Sequence, residues 1–194
     1  MSEQHARFMR SAIELAERGW GRVQPNPLVG AVVVKDGLVV GEGWHAEYGG
    51  AHAEVVALSE AGERARGATL YVTLEPCAHY GRTPPCTDAI SRAGVATVIY
   101  SVDDPNPKAR GGAQILRDAG INVEGGIEAE AVRNQNSIFF HAHTSTRSFV
   151  ALKLAMSLDG RIAAVAGERT KLTSDGADDE VHRLRSAFDA IVIG

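Results

Sequence analysis

Cysteine is scarce in this sequence, and long apolar or basic segments are missing from it. With only 2 cysteines among 194 residues, an iron–sulfur cluster held by four cysteines is excluded. No apolar run approaches the roughly 20 residues of a membrane span, so we expect no membrane partner. The 20 Lys and Arg residues form no long block and the formal net charge is −4, so we expect no nucleic-acid partner.

The N-terminus also lacks the pattern of an export signal. Residues 1–19 are amphipathic, whereas a signal peptide has a charged start followed by a purely apolar stretch. Two cysteines nine positions apart, without such a signal, indicate a reducing compartment in which the thiols are free or bound to a metal. We therefore expect a cytoplasmic protein.

Apolar periodicity predicts strands that alternate with helices, which is typical of an α/β layered sheet. An opening helix is predicted from Ala6 to Ala16, and a hairpin is predicted about the turn Lys35-Asp36-Gly37. The other predicted elements are helices at His52–Ala61, Thr87–Ala93, Ala113–Ala119 and Glu128–His141, and strands at Ala68–Leu74, Val95–Val102 and Ile121–Val123.

The composition changes near residue 143, which suggests a domain boundary. We expect one domain over residues 1–143, a polar linker at 144–148 and the first part of a second domain at 149–194. The second segment has a strand-and-turn pattern at 149–165, a predicted helix at Asp178–Ser186 and a predicted strand at 190–194. About 46 residues are thin for an independent core, so we expect this domain to be incomplete.

His52-Ala53-Glu54 and the two cysteines, Cys77 and Cys86, together suit a hydrolytic zinc site. One imidazole and two thiolates bind Zn²⁺ and leave a fourth position for water, whereas calcium requires oxygen ligands. Glu54, if it is not a ligand, can move protons between that water and a substrate. In a regular helix, however, His52 and Glu54 would point about 200° apart. They can serve one site only if His52 precedes the first helical turn.

Other interpretations of these residues remain open at this point. The two cysteines could form a regulatory disulfide, or a structural zinc site could take His79 or His45 as a fourth ligand. The order of triplet, strand, Glu75-Pro76-Cys77 and second cysteine nevertheless fits the zinc-deaminase signature H-x-E then P-C-x-x-C. Here eight residues separate the cysteines instead of two.

Four segments carry a more specific resemblance. The stretches "QPNPLVGAVVVKDG", "GWHAEYGGAHAEVVAL", "TLYVTLEPCAHYGRTPPCTDAI" and "DDPNPKARGG" resemble the bifunctional deaminase/reductase family of riboflavin biosynthesis, which has the wider cysteine spacing. The resemblance implies a three-layer α/β/α cytidine-deaminase-like domain with a mixed central sheet. It also implies that "LKLAMSLDGRIA" and "VHRLRSAFDAIVIG" begin a dihydrofolate-reductase-like α/β domain.

The resemblance assigns roles to individual residues of the first domain. His52, Cys77 and Cys86 would bind zinc, and Glu54 would be the catalytic proton carrier. The substrate would be a small phosphorylated pyrimidine, 2,5-diamino-6-(5-phosphoribosylamino)pyrimidin-4-one. The implied substrate-binding residues are Asn26, His45, His79, Arg82, Asp104 and Asn106. Asn26 would bind the base edge and Arg82 the phosphate. Alternatively, Arg82 is a solvated loop residue, and the two Asx residues merely form turns.

In the second segment the resemblance places residues at the NADPH or substrate site of the reductase. These residues are Lys153, Ala155, Ser157, Asp159, Thr173 and Arg185. Arg169 and Lys171 stand where that family usually has a serine and a tryptophan. The glycine-bearing phosphate-binding part of the reductase would lie beyond Gly194. We therefore expect NADPH-dependent reduction only from a longer parent protein.

The sequence thus predicts a zinc-dependent aminohydrolase of riboflavin biosynthesis, with possible homo-oligomerisation. A non-catalytic module stabilised by a closed four-ligand zinc site is one alternative. A deaminase of free nucleosides or of guanine is another, since it would share the chemistry and differ only in the pocket.

Overall fold

The computed structural model describes residues 3–81, 84–165, 167–168 and 170–193 of the chain. Two compact units are present, Met1–Thr146 and Arg147–Gly194. The boundary between them falls inside the predicted linker. Arg82 and Arg169 lie outside the described residues, as does the end of the predicted strand at 190–194. Within the described part of the chain, no helix combines the length and hydropathy needed to cross a membrane.

The first unit contains five strands and six α-helices among its described residues. In chain order these are α1 (Glu3–Ala16), β1 (Gly30–Lys35), β2 (Leu38–Trp44), α2 (Ala53–Ala61), β3 (Thr69–Leu74), α3 (Cys86–Ala93), β4 (Thr97–Val102), α4 (Gly112–Asp118), β5 (Asn122–Gly125), α5 (Ala129–Gln135) and α6 (Ser137–Thr144). Short 3₁₀ turns follow α1 at Glu17–Gly19 and α2 at Gly62–Ala65.

The five strands form one mixed sheet in the order β2-β1-β3-β4-β5. Strand β1 is antiparallel to both β2 and β3, whereas β3, β4 and β5 run parallel. The predicted hairpin joins β1 and β2, and both turn residues, Asp36 and Gly37, have positive φ angles of 51° and 77°. Two left-handed residues match the right-handed twist of the paired strands, which is why an Asp-Gly pair forms this turn.

Helices cover both faces of the sheet. Because side chains alternate along a strand, Val33 and Leu70 face one side and Val32 and Tyr71 the other. The first pair belongs to a core built with α2, α3 and α4, and the second pair packs against α1. Val132 of α5 packs on the α1 side, against the ends of β3 and β4. This arrangement is the three-layer α/β/α fold with a mixed sheet that the resemblance implied.

Helix α2 lies unusually close to strand β2, and this closeness locates the site. A Cβ atom at Gly41 or Gly43 would run into the backbone of α2 near Ala57. Glycine at these two positions lets the helix backbone rest directly on the strand. The start of α2 is thereby fixed relative to the sheet.

The prediction of one continuous helix over Glu128–His141 is wrong, because two helices occupy this part of the chain. Helices α5 and α6 are separated at Asn136, whose φ of −105° and ψ of 26° depart from helical values. The buried side chain of Asn136 bonds instead to the backbone of Leu28. Helix α6 also continues to Thr144 and so includes the first residue assigned to the linker.

The second unit has one described α-helix, α7 (Asp175–Arg185), which begins three residues before its predicted start. Ser174 caps it, because its Oγ accepts a hydrogen bond from the Ala177 N–H at 3.3 Å. The predicted strands were wrong for the described residues of 149–165 and 190–193, which pair with no other strand. A turn does form there, where the Ser157 N–H donates to the Arg161 carbonyl at 2.9 Å. Periodicity reports which face is apolar, but a strand also needs a partner for its backbone.

Candidate active site

The three predicted metal ligands converge from separate elements of the first unit. His52 directly precedes α2, Cys77 follows β3, and Cys86 is the first residue of α3. Their ligand atoms all lie within 4.8 Å of one another. The imidazole Nδ1 of His52 is 3.0 Å from the Cys86 Sγ and 3.5 Å from the Cys77 Sγ. One nitrogen and two sulfurs within this distance form a donor set that suits zinc.

The two thiols are free, so the regulatory disulfide is not formed in this structure. The hydrogen bond from the Cys86 thiol lowers the pKa of Cys77 to about 4, and the Cys86 backbone N–H, 3.3 Å from the Cys77 Sγ, adds to this effect. The same bond and burial raise the pKa of Cys86. The N-terminus of α3 beside the Cys77 sulfur also favours a thiolate there, because the helix dipole favours negative charge.

Neither candidate for a fourth protein ligand belongs to this cluster. His45 uses both ring nitrogens elsewhere, at Asn26 and at the Ala51 carbonyl. His79 lies outside the group of ligand atoms within 4.8 Å among the described residues. Three protein ligands leave an open coordination position, which is the arrangement of catalytic rather than structural zinc sites.

The start of α2 brings His52 and Glu54 to one site. His52 has an extended backbone, with φ of −74° and ψ of 153°, and the helix begins only at Ala53. Glu54 is therefore in the first helical turn while His52 precedes it, which removes the angular conflict of a continuous helix. The Glu54 side chain is 4% exposed, and burial raises the pKa of its carboxyl group. A raised pKa suits a carboxyl group that must both take up and release a proton.

These groups line a cavity of about 270 Å³. The lining includes eight of the residues that the sequence predicted, namely Asn26, His45, His52, Glu54, Cys77, His79, Asp104 and Asn106. Of the other two predicted residues, Cys86 is fully buried, and Arg82 lies outside the described residues. Lining residues that the sequence did not single out include Tyr48, the pair Gly49-Gly50, Glu75 and Phe139. Glu75 directly precedes the Pro-Cys pair of the signature, and Tyr48 and the glycine pair lie within a segment that carries the resemblance, whereas Phe139 had no signal in the sequence.

Hydrogen bonds fix how Asn26 faces this cavity. The Ala51 carbonyl accepts a hydrogen bond from the His45 Nδ1 at 3.0 Å, so Nδ1 carries the proton. Burial lowers the pKa of His45, so its Nε2 is left without a proton and accepts from the Asn26 Nδ2 at 3.1 Å. This assigns the amide nitrogen of Asn26 to His45. Its Oδ1, which has no partner among the described residues, remains as an acceptor for a ligand.

Asp104 and Asn106 form turns as well as part of the cavity wall. The Asp104 Oδ1 accepts from the Asn106 N–H at 2.8 Å, and the Asn106 Oδ1 accepts from the Lys108 N–H at 3.1 Å. Asp104 is 7% exposed, and burial raises the pKa of its carboxyl group. The turn-forming interpretation therefore describes their contacts correctly, and it leaves the Asp104 Oδ2 and the amide nitrogen of Asn106 for other partners.

Glu75 anchors the loop that carries these two residues. Its carboxylate accepts hydrogen bonds from the backbone N–H groups of Gly111 at 3.0 Å, Ala113 at 3.1 Å and Asp104 at 3.3 Å. Two of these donors are at the start of α4, where N–H groups have no partner within the helix. Glu75 thus fixes one wall of the cavity to the end of β3.

Replacing Glu75 with alanine is expected to lower the free energy of unfolding by about 3 kcal/mol, since three backbone donors lose their acceptor. Urea denaturation measures this change. Glu63→Ala, at an exposed glutamate, is the matched control and should change stability by less than about 0.5 kcal/mol. Equal stability of the two variants would show that Glu75 does not anchor the loop.

The structure places the remaining predicted residues as follows. His79 lines the cavity, and its buried Nδ1 has no hydrogen-bond partner among the described residues, as expected of a group that meets a ligand.

In the second unit, Lys171 forms ion pairs with Asp175 and, at 3.2 Å, with Asp178. Thr173 donates to Asp178 at 3.1 Å. Arg185 ends α7, and Lys153 is exposed two residues before Ala155. Their role in binding NADPH stays a prediction.

Comparison with known proteins agrees with this geometry. The family described as the cytidine and deoxycytidylate deaminase zinc-binding region matches residues 2–102. The family described as the RibD C-terminal domain matches residues 148–194, which supports the expected start of a reductase domain.

Relatives match nearly the whole chain. The riboflavin biosynthesis protein RibD of Aquifex aeolicus is 48% identical over 188 residues, which are 96% of this chain and 53% of that protein. The solved structure of RibD from Acinetobacter baumannii is 49% identical with a TM-score of 0.85, over 95% of this chain and 52% of that one. A deaminase/reductase structure from Thermotoga maritima is 48% identical with a TM-score of 0.86, over 94% and 53%.

This chain therefore spans about half the length of the relatives it matches. The alignments include the sheet, the His/Cys/Cys cluster and the segment after residue 147. The chain belongs to the cytidine and deoxycytidylate deaminase zinc-binding family, and its high-identity relatives are the RibD proteins of riboflavin biosynthesis.

Proposed function

We propose that the first unit is a zinc-dependent aminohydrolase that acts on 2,5-diamino-6-(5-phosphoribosylamino)pyrimidin-4-one and yields 5-amino-6-(5-phosphoribosylamino)uracil and ammonia. The observation that carries this proposal is the open three-ligand cluster of His52, Cys77 and Cys86 beside the buried Glu54, at the wall of one cavity. The Thermotoga maritima relative is named a diaminohydroxyphosphoribosylaminopyrimidine deaminase, which supports the choice of substrate.

Each residue at the cavity has a definable task in this reaction. Zinc, when bound, supplies the Lewis acidity that makes water a nucleophile near neutral pH. Glu54 takes one proton from the attacking water and delivers it to a ring nitrogen, and it then carries the second proton of that water to the amine, which departs as ammonia. Its burial next to the ligands keeps these protons away from bulk solvent. Asn26 presents its Oδ1 to the base edge, held in place by the His45 Nε2.

The ribose and phosphate are assigned to the rim of the cavity. His79 offers a buried ring nitrogen, and Arg82, three residues further on, offers a planar fork of donors for two phosphate oxygens. Asp104 and Asn106 also line the cavity, and their side chains suit hydroxyl groups of the sugar. These assignments rest on residue chemistry and on the cavity lining.

The direct test is an ammonia-release assay on the purified chain with the phosphorylated diaminopyrimidine, with and without a chelator. We expect turnover that the chelator abolishes and that added Zn²⁺ restores. Circular dichroism of the chelated protein should retain the folded spectrum, because the two apolar cores of the sheet consist mostly of side chains other than the metal ligands. Unfolding upon chelation would favour the non-catalytic zinc module.

The same assay also tests the remaining alternative, a deaminase of free nucleosides or of guanine. Cytidine and guanine serve as comparison substrates, because a nucleoside or guanine deaminase would use the same metal chemistry. Turnover of either one, without turnover of the phosphorylated pyrimidine, would contradict the proposed substrate.

A second activity is proposed for the parent protein. The match of residues 148–194 to the RibD C-terminal domain favours NADPH-dependent reduction of the ribosyl group in a longer chain. We also place the protein in the cytoplasm, since a zinc–thiolate centre needs its two cysteines reduced. Homo-oligomerisation remains a prediction, and size-exclusion chromatography with light scattering would test it.

A further inference from the structure

Asn136 joins two walls of the cavity that are far apart in the sequence. It is 4% exposed and lies between α5 and α6. The Leu28 N–H donates to the Asn136 Oδ1 at 2.7 Å, and the Asn136 Nδ2 donates to the Leu28 carbonyl at 3.0 Å. One side chain thus satisfies both backbone groups of a residue 108 positions away.

Residues close to each end of this contact line the cavity. Asn26 and Val29 flank Leu28 in the loop between α1 and β1, and both line the cavity. The Val29 carbonyl accepts a hydrogen bond from the His45 N–H at 2.9 Å, and the Asn26 side chain bonds to the His45 ring. On the other side, Phe139 lies three residues after Asn136, close to one helical turn, and lines the same cavity.

We propose that Asn136 is a positioning residue for substrate recognition, which holds the Asn26 loop and the Phe139 wall at a fixed separation. It acts through Asn26 and does not itself line the cavity. This inference rests on the proposed deaminase function and adds to it. Without the carboxamide, the buried N–H and carbonyl of Leu28 have no partner, and the loop must move to satisfy them.

Gln135, the preceding residue, provides a matched control. Its Nε2 donates to the Ile13 carbonyl at 2.9 Å and to the Glu17 Oε1 at 3.0 Å, so it also ties α5 to an earlier part of the chain. These contacts lead to α1 and the turn that follows it, and Gln135 is not among the residues lining the cavity. A role in stability alone would make Asn136 and Gln135 variants behave alike.

The kinetic test compares Asn136→Ala with Gln135→Ala. We expect Asn136→Ala to raise KM for the phosphorylated pyrimidine roughly 10-fold or more, with bound zinc unchanged, because the Asn26 contact is misplaced. Gln135→Ala should leave KM and kcat close to wild type. Asn136→Asp keeps an acceptor for the Leu28 N–H and loses the donor to the Leu28 carbonyl. Its KM should therefore fall between those of Asn136→Ala and Gln135→Ala.

Non-additivity tests whether Asn136 acts through Asn26. The double variant with Asn26→Ala and Asn136→Ala should have the same kcat/KM as Asn26→Ala alone. If the double variant lost kcat/KM by the product of the two single-variant factors, the proposal would be overturned. Equal changes in KM for Asn136→Ala and Gln135→Ala would overturn it as well. If Asn136→Ala does not fold, Asn136→Asp enters the same cycle.

Amide hydrogen exchange gives a readout that is independent of activity. The Leu28 N–H should exchange at least about tenfold faster in Asn136→Ala than in wild type, by a smaller factor in Asn136→Asp, and at the wild-type rate in Gln135→Ala. An unchanged rate in the Asn136 variants would overturn the proposal. Absence of ammonia release from wild type would instead contradict the proposed function, and the exchange rates would still decide whether Asn136 holds the loop.

Discussion

Glu54→Ala is expected to reduce ammonia release from the phosphorylated pyrimidine by at least about a hundredfold while zinc remains bound. The carboxyl group is buried at the cavity wall beside the metal ligands and is itself outside the cluster of ligand atoms. Its removal therefore takes away the proton carrier and leaves the three ligands in place. Steady-state ammonia release and zinc content by mass spectrometry measure the two effects separately.

Two further variants make this result specific. Glu54→Gln keeps the shape of the side chain but cannot carry a proton, so its activity should be as low as that of Glu54→Ala. Glu63→Ala, an exposed position just beyond α2, should retain wild-type turnover. Near-normal turnover of Glu54→Ala with zinc bound would remove Glu54 from the mechanism.

Cys86→Ser is the second variant with a large expected effect, because it should lose both zinc and activity. Cys86 is fully buried, and its Sγ lies 3.0 Å from the His52 Nδ1. A serine oxygen at this position would reach less far than the sulfur, and it is a harder donor that binds zinc less well than a thiolate does. We expect zinc content to fall from about one ion per chain to below about a tenth after dialysis, since structural and catalytic zinc sites depend on their full ligand set. Turnover should fall in proportion.

The control for Cys86→Ser lies on the same helix. Ser91→Ala replaces an exposed residue of α3 and should keep both zinc and turnover. Retention of a full equivalent of zinc by Cys86→Ser would contradict the assignment of Cys86 as a ligand. Full turnover without zinc would contradict the metal-dependent mechanism altogether.

The residues of the metal cluster could be predicted from sequence because their types are rare and their order is constrained. Two cysteines and two His-x-Glu triplets, which begin at His45 and His52, allow few ways to build a site with one nitrogen and two sulfurs. The angular argument about a helix also predicted that His52 must precede the first turn, and its extended backbone has this geometry. Chemistry and local geometry were sufficient for these positions.

Positions that act through distant backbone contacts could not be predicted in this way. Asn136 interrupts a helix whose periodicity continues across it, because its side chain bonds to a loop 108 residues earlier. Glu75 stood in a recognised motif, yet its three backbone partners come from the segment after β4. In the second unit, alternating residues such as Val150 and Leu152 predicted a strand, whereas both are more than 80% exposed and unpaired with a strand. Pairing partners are a tertiary property that local periodicity does not contain.

Cys77 and Cys86, which bound a segment of eight residues, lie next to each other in the structure. The Cys86 N–H is 3.3 Å from the Cys77 Sγ, and the Thr87 N–H is 3.4 Å from the Cys77 carbonyl. Because the ends of this segment are joined, doubling its length would cost only about 0.6 kcal/mol in closure entropy. Insertions can accumulate there without displacing either sulfur. The length of this segment, and with it the set of molecules that the cavity accepts, can therefore vary while the metal centre keeps its geometry.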